Sequence, residues 1–163
     1  MLHLGKNNPK NNYIINNYII PAVSQIRDLG IIITDDLDFG PHCKIITRNA
    51  IFAGSMIFKA FETRNTRFLV DMFKTYVRPK VEYAIEIWNP TQASLIDLVE
   101  NVQRKFTKRI PSVSNLSYQE RLIQLDLESL ELRRLKTDLT MVYKISNNHT
   151  DLNKDEFFQN FRP

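Results

Sequence analysis

Four cations close together in the sequence, Arg104, Lys105, Lys108 and Arg109, carry the chemistry this chain offers most plainly. On a helix their spacing stands Arg104 beside Lys108 and Lys105 beside Arg109, a flank of positive charge next to an apolar face. Such a flank suits contact with phosphates. It also suits a helix C-terminus, whose dipole favours cations, and from spacing alone both readings stay open. Gln103 and Thr107 on the same turns can add neutral hydrogen bonds to a nucleic-acid backbone. Arg78 and Lys80 extend the basic character upstream. Between residues 64 and 109 there are nine basic and five acidic side chains, an excess equal to the net charge of +4 for the whole chain.

The acidic pair Asp35-Asp36 invites a different chemistry. Two-metal phosphoryl transfer needs carboxylates from neighbouring strands converging on ions about 3.5–4 Å apart. Upstream of the pair stands only Asp28, seven residues away, so no earlier strand supplies the third carboxylate. The pair is therefore expected to bend the chain and, with Asp38 before Phe39-Gly40-Pro41, to cap the helix that follows. His42 and Cys43 are adjacent and cannot both point into one helical site, and His3 and His149 lie far off, so no metal site is expected. Cys43 is alone, which excludes an internal disulfide. No glycine-rich phosphate loop, nucleophile elbow or dinucleotide fingerprint occurs.

The elements that must position these residues follow from periodicity. Tyr13 to Ile15 and Tyr18 to Ile20 flank Asn16-Asn17, a hairpin signal. Ile26 to Ile33 reads as strand, with Gly30 inside it marking a bulge or a close approach of backbone. From Pro41 to Glu62 a helix is expected, with Ile45, Ile46, Phe52, Met56, Ile57 and Phe61 apolar. Thr66 can cap a helix whose face is Phe68, Leu69, Met72, Phe73, Tyr76 and Val77, and Pro79 must kink or end it. A second apolar run, Val81 to Trp88, should anchor the core. Leu95, Leu98, Val99, Val102 and Phe106 predict the helix bearing the cationic flank, with Asp97 and Glu100 toward its positive N-terminal end. Ser117 and Glu120 form a capping box opening a short helix to about Leu125. Leu132, Leu135, Leu139 and Val142 predict a longer amphipathic one. Beyond Asn147 the chain turns polar, with Phe157, Phe158 and Phe161 able to dock weakly. The fold class expected is α+β, mostly helical: a small N-terminal hairpin or sheet, then a helical bundle centred on Tyr76 to Trp88.

The string FKTYVRPKVEYAIEIWNP (73–90), followed in order by VENVQRKFTKRI (99–110) and LSYQERL (116–122), resembles the region after the catalytic core in reverse transcriptases of non-LTR retrotransposons, the LINE-type elements of the Jockey and CR1 groups. The similarity covers nearly the whole chain. It implies that residues 1–40 are the end of the palm, with DLGIII falling on the primer-grip hairpin. Residues 41–147 would be a helical thumb, and 148–163 a polar tail. It further implies an RNA–DNA hybrid as partner, held through phosphates and A-like shape by Arg78, Lys80, Arg104, Lys105, Lys108 and Arg109, with Leu29 and Gly30 at the primer grip. The catalytic carboxylates and their Mg ions would belong to the missing palm of the parent enzyme, and this chain would bind no cofactor. Met1 to Gly5 begins as though cut from something longer. A helical protein-interaction module, or an expressed relic without activity, is the alternative.

Length and composition agree with one domain of ordinary core content, 163 residues with 43% hydrophobic. No apolar stretch approaches a membrane span of about twenty residues. A lone cysteine and the lack of a signal sequence lead to an intracellular setting, cytoplasm or nucleus, with no membrane partner.

Overall fold

The computed structural model describes residues 1–5 and 7–158. Its architecture is α+β and mostly helical, two small antiparallel strand pairs followed by helices. Asn16 and Asn17 both take positive φ, 47° and 64°, the mirror-image turn a two-residue hairpin requires. Ile14–Ile15 (β1) accordingly pairs antiparallel with Tyr18–Ile19 (β2).

The next segment departs from the single strand expected there. Gln25–Asp28 (β3) and Ile31–Thr34 (β4) pair with each other, Ile26 opposite Ile33. Leu29 and Gly30 are the turn between them, at φ 44° and 90°. Gly30 reaches that region freely, whereas Leu29 does so against its Cβ. Among the described residues the sheets are two separate pairs with no central strand. β3 is exposed throughout, and Ile31 of β4 enters the core.

The acidic residues bend the chain into Gly40–Ala60 (α1). Asp36 Oδ1 accepts from Thr34 Oγ1 at 2.6 Å and from the Asp38 amide at 3.1 Å, while Asp38 Oδ1 accepts from the Gly40 amide at 2.8 Å. The N-cap position itself is Phe39, without a side-chain cap. The buried face of α1 is His42, Cys43, Thr47, Ala50, Gly54 and Ile57. Of the apolar residues that predict this helix, Ile57 is buried, while Ile45, Phe52, Met56 and Phe61 are exposed. Small residues take the inner face because another helix lies close: a Cβ on Gly54 would stand 3.0 Å from the Phe106 ring.

Thr66–Met72 (α2) is capped by Asn65, not Thr66: Asn65 Oδ1 accepts from the Phe68 amide at 2.9 Å. The Thr66 hydroxyl instead meets Ser112 Oγ at 2.7 Å. At Phe73–Val77 the helix widens into a π turn, closed by the Arg78 amide on the Phe73 carbonyl. A tight 3₁₀ turn, Arg78–Val81, follows. Pro79 is the physical reason for this break, since its ring removes a donor and crowds the carbonyl of Thr75 in a regular helix. Ala84 is left-handed at φ 50°, and Ile85–Trp88 (α3) forms one turn. Val81, Ile85 and Trp88 are buried, with Trp88 Nε1 donating to the Tyr83 carbonyl at 2.8 Å and its ring 5.2 Å from that of His42. Tyr76, Tyr83 and Ile87 are exposed, so only part of the apolar run anchors the core.

Ala93–Lys108 (α4) packs against α1, and the core runs from Ile31 through Trp88 and Phe106 to Leu130. Tyr118–Leu125 (α5), Leu130–Ser146 (α6) and the short Lys154–Phe157 (α7) complete the described chain. The buried residues of α6 are Leu130, Arg134 and Ile145, while the expected face, Leu132, Leu135, Leu139 and Val142, is exposed. Phe157 and Phe158 are exposed, and Phe161 lies outside the described residues. Among the described residues no helix is long and apolar enough to cross a membrane.

Candidate nucleic-acid interface

One face of α4 is spent on the core: Val99, Val102, Phe106 and, with them, Gln103 and Thr107. Helical periodicity then turns Arg104, Lys105, Lys108 and Arg109 outward together. All four line a groove of about 670 Å³ whose other walls are Ile51 and Ser55 of α1, Leu116 and Ser117, and Tyr118 and Arg121 of α5. The cationic flank therefore becomes one wall of a concave surface. Arg109 lies 4.0 Å from the centre of the Phe58 ring and reaches Ser55 Oγ at 3.4 Å. Arg104 sits 5.1 Å from the centre of the Tyr118 ring and 3.7 Å from Asp97. That ion pair is largely solvated, so it is worth about 0–1 kcal/mol and leaves Arg104 available. Among the described residues, no ion pair holds Lys105 or Lys108.

A buried network stiffens the wall opposite. Glu100 was expected to face the N-terminal dipole of its own helix, but it is buried and serves another helix. Its carboxylate accepts the amides of Leu130 at 3.2 Å and Glu131 at 2.9 Å, opening α6, and the hydroxyl of Tyr118. A carboxylate at a helix N-terminus meets unsatisfied amides and the positive end of the dipole together. Burial, then the Glu100 carboxylate, drives the Tyr118 phenol well above its ordinary pKa, so it stays a donor. Gln103 and Thr107 do not reach a ligand: Gln103 Nε2 donates to the Glu128 carbonyl at 2.9 Å and to Tyr118 Oη at 3.1 Å, and Thr107 Oγ1 donates to the Gln103 carbonyl at 2.8 Å. Their types suited backbone contact, but their helical phase points them inward.

The remaining sequence-derived candidates lie elsewhere. Arg78 pairs with Glu82 at 3.6 Å, within a network that adds Arg133, Glu128 and Lys136. Burial and the nearby Arg133 lower its pKa. Lys80 borders an apolar hollow lined by Met56, Phe61, Phe68, Met72 and Tyr76. Leu29 and Gly30 form the exposed hairpin tip, tethered by the Tyr83 hydroxyl on the Leu29 carbonyl at 3.1 Å. Tyr118 and Arg121 are the groove residues that sequence reasoning missed. Their spacing of three on one helix was the available signal, and the capping box beside it drew the reading to local structure.

The Asp35-Asp36 pair does not fit a two-ion site, because Asp36 is engaged in its own turn. Among the described residues no group of three or more His, Cys, Asp or Glu is placed to hold a metal ion.

No known protein family matches the chain. No solved structure matches it. A curated relative, an uncharacterized protein of Caenorhabditis elegans, is 26% identical over 125 residues, covering 75% of this chain. The chain spans 63% of that relative's length.

Proposed function

We propose that this chain is the end of the palm and the thumb of a LINE-type reverse transcriptase, and that its work is to hold an RNA–DNA primer–template. The observation that carries this reading is the convergence of Arg104, Lys105, Lys108 and Arg109 on one groove, with no ion pair holding Lys105 or Lys108 among the described residues. Phosphates are recognised by such arrays through charge and counterion release, and an A-like hybrid presents them in a shape a concave wall can follow. The exposed hairpin tip at Leu29-Gly30 supports the palm assignment, since a strained turn held by a tether is suited to presenting backbone to a strand end. Polymerisation itself would belong to carboxylates and Mg ions in the parent's palm, and the chain alone holds the duplex without extending it.

Fluorescence anisotropy of an RNA–DNA hybrid, titrated at several salt concentrations, tests the reading. The logarithm of affinity should fall linearly with the logarithm of salt, with a slope of about −0.9 for each phosphate neutralised. Changing Arg104, Lys105, Lys108 and Arg109 to Glu should abolish the binding. Absent binding, or binding indifferent to salt, sinks the proposal. The exposed apolar face of α6, Leu132, Leu135, Leu139 and Val142, favours a second reading in that event, a helical module that docks onto another protein.

A further inference from the structure

Arg121 is the groove residue whose surroundings are least explained by folding. It is 3% exposed and lines the groove, yet no carboxylate pairs with it among the described residues. Its Nε is buried without a hydrogen-bond partner. Its Nη2 makes one long bond, 3.4 Å, to the carbonyl of Arg104, and its guanidinium lies 5.5 Å from the centre of the Tyr118 ring. A buried cation with neither counter-charge nor full hydrogen bonding is unfavourable unless something supplies both.

The groove beside it is where that supply can come from. Arg104 shares the Tyr118 ring with Arg121, and Lys108 lines the same groove. The acidic groups nearest it are already committed: Glu120 accepts from the Ser117 amide at 2.8 Å, and Glu100 is taken by Tyr118 and α6. What remains is a guanidinium with an unsatisfied donor on a residue that lines a cationic hollow. A tetrahedral oxyanion satisfies a guanidinium fork through two oxygens while other oxygens reach the neighbouring cations.

We propose that Arg121, with Arg104 and Lys108, forms a seat for a single phosphate group on the groove floor, one fixed point within an otherwise diffuse electrostatic surface. The phosphate is a backbone phosphate of the nucleic acid that the groove holds, so the identity of the ligand rests on the preceding reading. Arg121 is the positioning element: Lys at this place keeps charge but loses the fork.

The test is NMR of the arginine Nε–Hε groups in the full chain, with the Arg121 signal assigned in the wild type by through-bond correlation to its own backbone amide. Inorganic phosphate should shift that signal saturably, while chloride and acetate at matched ionic strength leave it in place. Hybrid affinity should fall about tenfold in Arg121→Lys, the loss expected for one charge-assisted fork. An Arg121 signal unmoved by phosphate overturns the seat, as does an equal response to acetate, which would mark a general carboxylate site suited to an acidic peptide. The wild-type readout holds whether or not the variant folds. Hybrid binding with a silent Arg121 removes the seat and keeps the nucleic-acid reading. A phosphate response in a protein that binds no hybrid keeps the seat and removes that reading.

Discussion

His42 sits where only a neutral ring works. Its Nδ1 accepts from the Ile32 amide at 3.3 Å, joining β4 to α1, and its ring lies edge-on to Trp88. Burial, with Arg27 adding repulsion, lowers its pKa. In mild acid the unfolded chain then binds the proton more readily than the folded one, so stability is complete above the unfolded value of about 6.5 and declines as pH falls below it. The melting temperature should drop on acidification from about pH 7.5 to about pH 5.5. His42→Asn, which keeps an acceptor but cannot titrate, should flatten part of that drop, and an unchanged profile would refute the role. Cys43 next to it is equally buried, and burial pushes its thiol up to about 11. A thiolate-selective reagent should therefore label it only as fast as the protein opens. The adjacency of these two residues was enough to reject a shared metal site. It could not tell that both are inside, because that depends on which side of α1 meets α4.

At the scale of elements, the same contact makes Gly54 informative. Alanine there would improve helix propensity by about 1 kcal/mol, yet its Cβ would press on a Phe106 ring already wedged between Phe58 and Phe73 at 4.9 and 5.0 Å. Overpacking costs about 1–3 kcal/mol, so Gly54→Ala should lower stability in a denaturant titration; a gain would show that the ring yields. The outer face of α6 makes the opposite prediction. Leu135→Asp and Leu139→Asp, both at exposed positions, should each change stability by no more than about 0.5 kcal/mol. A loss of several kcal/mol would mean that this face is covered. Elements whose causes are local were legible: the Asn16-Asn17 hairpin, the capping box at Ser117, the break at Pro79. The service of Glu100 to α6 was not, because the amides it receives lie thirty residues on and no periodicity links them. Likewise the leucines of α6 share a face that the pattern reveals, but the pattern alone does not say which face the core selects.

Across the whole molecule, the groove joins residues from 51 to 121. Its α4 wall could be read from spacing, whereas the Tyr118 and Arg121 wall exists only once α5 is docked. Because the Asp35-Asp36 turn is occupied by its own hydrogen bonds, purified chain with Mg and a primed RNA template should extend no primer. Extension lost on changing both aspartates to Asn would overturn the division of labour proposed above. The π turn at Phe73–Val77 has a further consequence, for how the chain tolerates changes in its length. A bond spanning five residues encloses one more than a regular turn does, and Thr75 and Tyr76, within it, are exposed. The segment thus carries a spare residue between two buried anchors, Phe73 and Val77. Removing Thr75 would let the turn contract to ordinary pitch while both anchors keep their places, whereas a one-residue deletion within α4 would rotate its cations out of the groove. Shortening of the chain by one residue should accordingly be absorbed here and rejected there.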